Sequence, residues 1–288
     1  MGTGLSVNVG AHRFAELLNA GGLITAPGVY DGLSARLAAA SGAQALYLTG
    51  YGVSASLLGQ PDAGFLGRGD MVGRIERLLG AVDVPLIVDA DTGFGDVAET
   101  VRAYEAAGAA AIQIEDQRFP KRCGHTPGRE VVPLEEALDR IKAALDARQD
   151  RAFKIVARTD ARTAHGLAAA IERAQAFHEL GADILFVESP ESVEELEAIG
   201  KAIPGAKLLA NMVAGGRTPF LPPSELAAMG FAVAIYPVMG LAASASALQA
   251  AYAGLASGVP DTSAHMPFAD LNRTVGFEAI WAEDDCPD

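Results

Sequence analysis

The chain has 288 residues, half of them hydrophobic, enough to fill one large core, and a single eight-unit α/β barrel ordinarily takes roughly 250 residues. Its 22 Lys plus Arg stand against 36 Asp plus Glu, a formal net charge of -14 that disfavours nucleic acid and other polyanions as partners. Cys123 and Cys286 are its two cysteines, which excludes a disulfide framework and suits a reducing, cytoplasmic setting. The start, MGTGLSVNVG, lacks the charged-then-apolar layout of a signal peptide, and no apolar run approaches the ~20 residues that span a bilayer.

In chain order, eight short β-rich runs appear: LITA from Leu23, ALYLT from Ala45, LIVDAD from Leu86, AIQIE from Ala111, FKIVAR from Phe153, ILFVE from Ile184, KLLAN from Lys207 and AVAIY from Ala232. Most are continuously apolar rather than alternating, which marks parallel strands covered on both faces. Between them lie Ala-, Leu- and Glu-rich helical segments at 96–107, 134–147, 166–180 and 192–203. A weak repeat, SGAQALYL, AGAAAIQI, LGADILFV and MGFAVAIY, puts a Gly where each helix should stop, just before a strand. Eight helix–Gly–strand units predict a (β/α)8 TIM-type barrel over 1–256, with an open doubly wound sheet as the alternative. A helical stretch reaches Ala256, and 257–288 reads as a C-terminal arm with a short helix, of the kind that packs on a neighbouring subunit.

A barrel carries its chemistry where strands end and βα loops begin. Those ends hold Tyr47 and Thr49, Asp89 and Asp91, Glu115, Arg158, Glu188 and Asn211. Asp89 and Asp91 alternate along one extended run, so the pleat is expected to aim both carboxylates the same way, with Glu115 ending the next run. Three hard oxygen donors suit Mg²⁺ or Mn²⁺ better than zinc. Two βα connections are long, 50–70 and 117–133, and the second carries KRCGH, which suggests a gate bearing a thiol acid. Arg158 has a bland alternative as an ion pair with Asp160 or Glu188. His12, His165, His178 and His265 are scattered, and TGYG does not complete a dinucleotide fingerprint.

Taken in order, YLTGYGVSAS, PDAG, VDADTGFGD, IEDQ, PKRCGHT, ARTDA, VES and NMV resemble the isocitrate lyase and phosphoenolpyruvate mutase superfamily between Tyr47 and Tyr236. The resemblance implies an α/β barrel with Mg²⁺ and a homotetramer whose last helices swap between subunits. It implies Asp89 as direct metal ligand, with Asp91, Asp62 and Glu115 holding metal-bound waters. Thr49 and Gly50 would offer donors to a substrate carboxylate with Tyr47 nearby, Arg158 would bind the 2-oxygen and the adjacent carboxylate, and Glu188 and Asn211 would line the far side. Cys123 matches the gating-loop cysteine of the carbon–carbon lyase branch, with Lys121, Arg122, Gly124 and His125 around it.

Within that branch the chain is too short for a full isocitrate lyase. Methylisocitrate lyases place an arginine shortly after the YP of the eighth strand, where this sequence reads YPVMGLA with Ala242. Without that guanidinium a third carboxylate lacks its bidentate partner. The expectation is therefore a Mg-dependent lyase cleaving a dicarboxylate of the 2,3-dimethylmalate, alkylmalate or oxaloacetate type to pyruvate or oxalate plus a short carboxylate, with Cys123 as general acid. Methylisocitrate cleavage and phosphonate or phosphoenolpyruvate chemistry are the alternatives.

Overall fold

The computed structural model describes residues 8–122 and 128–284. Eight strands, β1 (Ile24–Val29), β2 (Leu46–Leu48), β3 (Leu86–Asp89), β4 (Ala111–Glu115), β5 (Lys154–Thr159), β6 (Ile184–Val187), β7 (Leu208–Asn211) and β8 (Phe231–Tyr236), close into one barrel in sequence order. Every neighbouring pair is parallel, including β1 with β8. The closed barrel is the expected fold, and closure removes the edges that an open sheet would leave.

Helices stop and start where the sequence signals them. Asp96 caps Val97–Ala106 by accepting from the Glu99 amide at 2.8 Å, and Ser192 caps Val193–Ala202 through the Glu195 amide at 3.2 Å. The repeated glycines, Gly42, Gly108, Gly181 and Gly230, have φ from 87 to 102°, the left-handed turn that returns each helix to the next strand.

Buried side chains form two layers. One lies between sheet and helices; the other fills the barrel with Ile24, Ala45, Ile87, Ala111, Val156, Ile184 and Val233, sealed at the N-terminal end by Phe14 and Leu18. Those two belong to the helix Val9–Ala20, which the strand reading had not assigned. The same strands carry polar side chains at their other ends, so an apolar floor supports a charged mouth.

Three details differ from the sequence reading. β3 stops at Asp89 and Asp91 has φ 49°, so the two carboxylates converge through a left-handed turn and not through strand pleat. The 50–70 connection is partly helical, with Gly50–Val53 running into a π-helix at Ser54–Leu58. The arm contains two helices, Phe268–Val275 and Phe277–Asp284, broken at Gly276 with φ 95°. Among the described residues no helix is long and apolar enough to cross a membrane.

Candidate active site at the barrel mouth

Eleven of the fourteen expected site residues lie together at the strand ends. Cys123, Gly124 and His125 lie outside the described residues.

Two cations organise the mouth. The Lys121 ammonium, brought in by the loop after β4, is buried between Asp62 and Asp91, hydrogen-bonded to the first and 2.7 Å from the second. Burial acts to lower its pKa, but Asp91, Asp62, Asp89 and Glu115 together hold it well above the ordinary lysine value. Arg158, on β5, forms a two-pronged bond with Asp160, Nε to Oδ2 at 2.9 Å and Nη2 to Oδ1 at 3.0 Å. It also stands 3.4 Å from Glu115 and 3.3 Å from Glu188, with its guanidinium 5.2 Å from the centroid of the Phe186 ring. The bland alternative is therefore present: Arg158 is ion-paired with both Asp160 and Glu188. It also lines the cavity, so pairing fixes its position without hiding it.

The carboxylates are held against their preference. Burial pushes Asp89 and Glu115 up, Glu115 well above its usual range, and raises Asp91 to about 7. Asp160 goes down, because Arg158 and Arg129 outweigh its burial. Seven buried or nearly buried carboxylates, Asp62, Asp89, Asp91, Glu115, Asp116, Asp160 and Glu188, face four cations, Lys121, Arg129, Arg158 and Arg173. Asp91 Oδ1 meets the ammonium without hydrogen-bond alignment, and Glu115 Oε1 is buried with no hydrogen bond. Surplus negative charge and an unbonded Glu115 oxygen are the donor chemistry of a hard divalent cation, so this residue set fits one. Among the described residues no three of the side chains already form a closed ligand cluster; Lys121 and Arg158 stand between them.

Thr49 caps the turn after β2 by accepting from the Gly52 amide. Gly50 presses on Asp89: a Cβ there would stand 2.9 Å from Asp89 Oδ2, so a larger residue would force that carboxylate to move. Asn211 donates to Glu188 Oε2 at 3.1 Å, and Ser189 donates to Glu188 Oε1 at 3.1 Å.

Several supporting residues escaped the motif reading. Arg129 is buried and reaches Asp160 at 2.6 Å, Thr163, and Ser189 at 3.3 Å, tying the stem of the 117–133 connection to the barrel. Asp116 accepts from Thr159 Oγ1 at 2.6 Å and from Arg173 at 3.1 Å. Gln113 bridges Tyr47 and Asp89. Its only signal in the sequence was a polar residue inside AIQIE, two positions before Glu115 and so on the same face of the strand.

These groups open on a cavity of about 460 Å³ with a mixed lining. Its polar part is Tyr47, Thr49, Asp62, Asp89, Arg158, Glu188 and Asn211; its apolar part includes Val213, Ile235, Pro237, Val238, Leu241, Ala242 and Ala245.

Residues 14–256 match the family model described as phosphoenolpyruvate phosphomutase. The chain belongs to the phosphoenolpyruvate mutase family. It is 47% identical to 2,3-dimethylmalate lyase of Eubacterium barkeri over 278 residues, covering 94% of this chain and 95% of that protein. Among solved structures it is similar to oxaloacetate acetylhydrolase in complex with 3,3-difluorooxalacetate, with 37% identity, a TM-score of 0.92 and coverage of 96% of this chain and 97% of the other. It is also similar to a phosphonopyruvate hydrolase complexed with oxalate and Mg²⁺, with 31% identity, a TM-score of 0.84 and coverage of 95% and 97%. The chain shares its fold with both solved structures, and the first two similarities favour the carbon–carbon branch over phosphorus chemistry.

Proposed function

We propose that the chain is a Mg²⁺-dependent carbon–carbon lyase acting on a dicarboxylate with alkyl substituents, of the 2,3-dimethylmalate or 2-alkylmalate type, and releasing pyruvate. The observation that carries this reading is the mixed lining of the cavity. Among its described lining residues Arg158 is the sole cation, while those around Ala242 are apolar. Such a pocket matches a ligand that carries both an anionic, oxygen-bearing end and methyl groups. It offers no second guanidinium to a third carboxylate, which disfavours methylisocitrate. One methylene in a hydrophobic pocket is worth about 1–3 kcal/mol of discrimination, enough for a preference and not for absolute selectivity.

Asp89 would hold the cation directly, with Asp91, Asp62 and Glu115 behind it; Mn²⁺ would satisfy the same oxygens. When bound, the ion supplies positive charge against the oxyanion that develops at C2. Arg158, fixed by Asp160, adds a second positive group, preorganised so that little reorganisation accompanies reaction. Glu188 and Asn211 orient the far side of the ligand. Cys123, with Lys121, His125 and Gly124 beside it on the gate, would give its proton to the carbon that leaves as an enolate. A hydrated 2-oxo acid presents the same oxygen at C2, which brings oxaloacetate cleavage to oxalate within reach of the same groups.

The homotetramer expectation draws support from the arm. Helix Met239–Ala256 buries none of its residues, and Leu248, Tyr252, Leu255, Phe268, Ile280 and Trp281 are exposed. An apolar surface of this kind suits a partner subunit.

The decisive assay couples pyruvate and oxalate detection to a panel of alkylmalates and oxaloacetate, with Mg²⁺ and with EDTA. Cleavage should require the metal, and Cys123→Ser should lose at least ~10²-fold in turnover while oxalate still binds. Near wild-type turnover in Cys123→Ser would remove the thiol from the mechanism.

A further inference from the structure

Gln113 sits inside the barrel on β4, in register with Asp89 of β3, and is almost completely buried. Its Nε2 lies 3.2 Å from Asp89 Oδ1, and its Oε1 lies 3.1 Å from the Tyr47 hydroxyl. The direction of both bonds follows from elementary donor and acceptor capacity. A carboxylate only accepts, so the amide turns its nitrogen to Asp89. Its oxygen then faces Tyr47 and can only accept, so the phenol must donate its single hydrogen to it. What the Tyr47 oxygen still offers is lone pairs, and Tyr47 lines the cavity beside Asp89, Arg158 and Glu188.

We propose that Gln113 is a positioning residue that holds Tyr47 as a hydrogen-bond acceptor toward the ligand, so that the mouth selects a hydroxyl at C2 over a carbonyl. The inference rests on the reading that this cavity takes a 2-oxygenated carboxylate. A 2-hydroxyl, or one hydroxyl of a hydrated 2-oxo acid, brings the hydrogen that Tyr47 lacks. A ketone oxygen brings none, and two acceptors then face each other at a buried phenol, where the mismatch is costly. The arrangement also favours release, since a hydroxy acid that satisfies Tyr47 becomes an oxo acid that does not.

Lactate and pyruvate, which share a skeleton and differ only at C2, test this by calorimetric titration of the full chain with saturating Mg²⁺, with no turnover involved. The wild-type chain should bind lactate about tenfold more tightly than pyruvate, the ratio that one mismatched buried hydrogen bond produces. Gln113→Met, close in volume but without polar atoms, frees the Tyr47 hydrogen to turn into the cavity and should lower that ratio at least ~5-fold. Gln113→Glu keeps an oxygen toward Tyr47 in either protonation state and should keep the ratio. Tyr47→Phe should collapse the ratio, and Gln113→Met should change nothing further in that background. A folded Gln113→Met with the parental ratio overturns the proposal. Should Gln113→Met not fold, the parental ratio in Tyr47→Phe, or its collapse in Gln113→Glu, overturns it equally. A wild-type chain that binds neither acid overturns the reading of the cavity itself, an outcome distinct from an unchanged ratio.

Discussion

The Lys121 and Arg158 clusters are both buried, both short of positive charge, and built in opposite ways. Arg158 stands on a strand, and Glu115, Asp160 and Glu188 sit on β4 or directly after β5 and β6. Lys121 and Asp62 come from the two long βα connections and meet only over Asp91, itself in a left-handed turn. Scaffold-borne charge is fixed when the barrel closes, whereas loop-borne charge can be exchanged. The contrast separates a mouth side whose cation belongs to the barrel scaffold from one assembled by the two long connections.

The largest effect should come from breaking the fixed cluster. Arg158→Met removes the cation shared by Asp160, Glu115 and Glu188, leaving Asp160 to Arg129, and should cost about 3–5 kcal/mol in urea unfolding, with turnover lower by about 10²–10³-fold. Lys121→Met should cost clearly less, because burial already raises Asp91 to about 7 and lets it take up a proton. Equal losses from the two substitutions would abolish the distinction drawn here.

Next in size is metal affinity. Asp89→Ala should remove measurable Mg²⁺ binding in calorimetry while leaving the Arg158 cluster intact, and an unchanged affinity would exclude Asp89 as a ligand. Ala242→Arg acts on the apolar lining instead. It should lower kcat/KM for 2,3-dimethylmalate about tenfold and introduce measurable cleavage of methylisocitrate, by giving a third carboxylate its planar partner. No gain on the tricarboxylate would show that this lining does not choose the substrate.

The smallest effect concerns pH. Asp91 is raised from 3.8 to about 7 in the folded chain, chiefly by burial. An acid shifted upward destabilises the fold only when ionised: the penalty is absent below pH ~4, grows between ~4 and 7, and is complete above 7. Without metal, the chain should therefore gain thermal stability as pH falls from about 7 toward 4, and Mg²⁺ affinity should fall over the same window because binding must displace a proton. Asp91→Asn should flatten the Asp91 share of that slope in EDTA melts; an unchanged slope would assign it to another group.

How much was legible in the sequence follows from the range of each interaction. The continuous apolar runs, the glycine stops and the caps at Asp96 and Ser192 are local, and all eight strands stand where those signals put them. The polar rim was equally legible, because strand ends are known once strands are known. The alternation of Asp89 and Asp91 was read correctly as convergence but for the wrong reason, since a turn residue at φ 49° looks identical in sequence to a strand residue. Gln113 and Arg129 were missed because nothing within a few residues of either reveals its partners.

By itself the sequence determined a run of eight βα units with an acidic, arginine-bearing rim of strand ends, because periodicity and chain stops act over one or two turns of chain. Only the tertiary structure decided who meets whom there: Lys121 with Asp62, 59 residues apart, and Tyr47 with Gln113, 66 apart. Barrel closure sets those meetings, by fixing strand register and excluding water, and neither has a local sign in the chain.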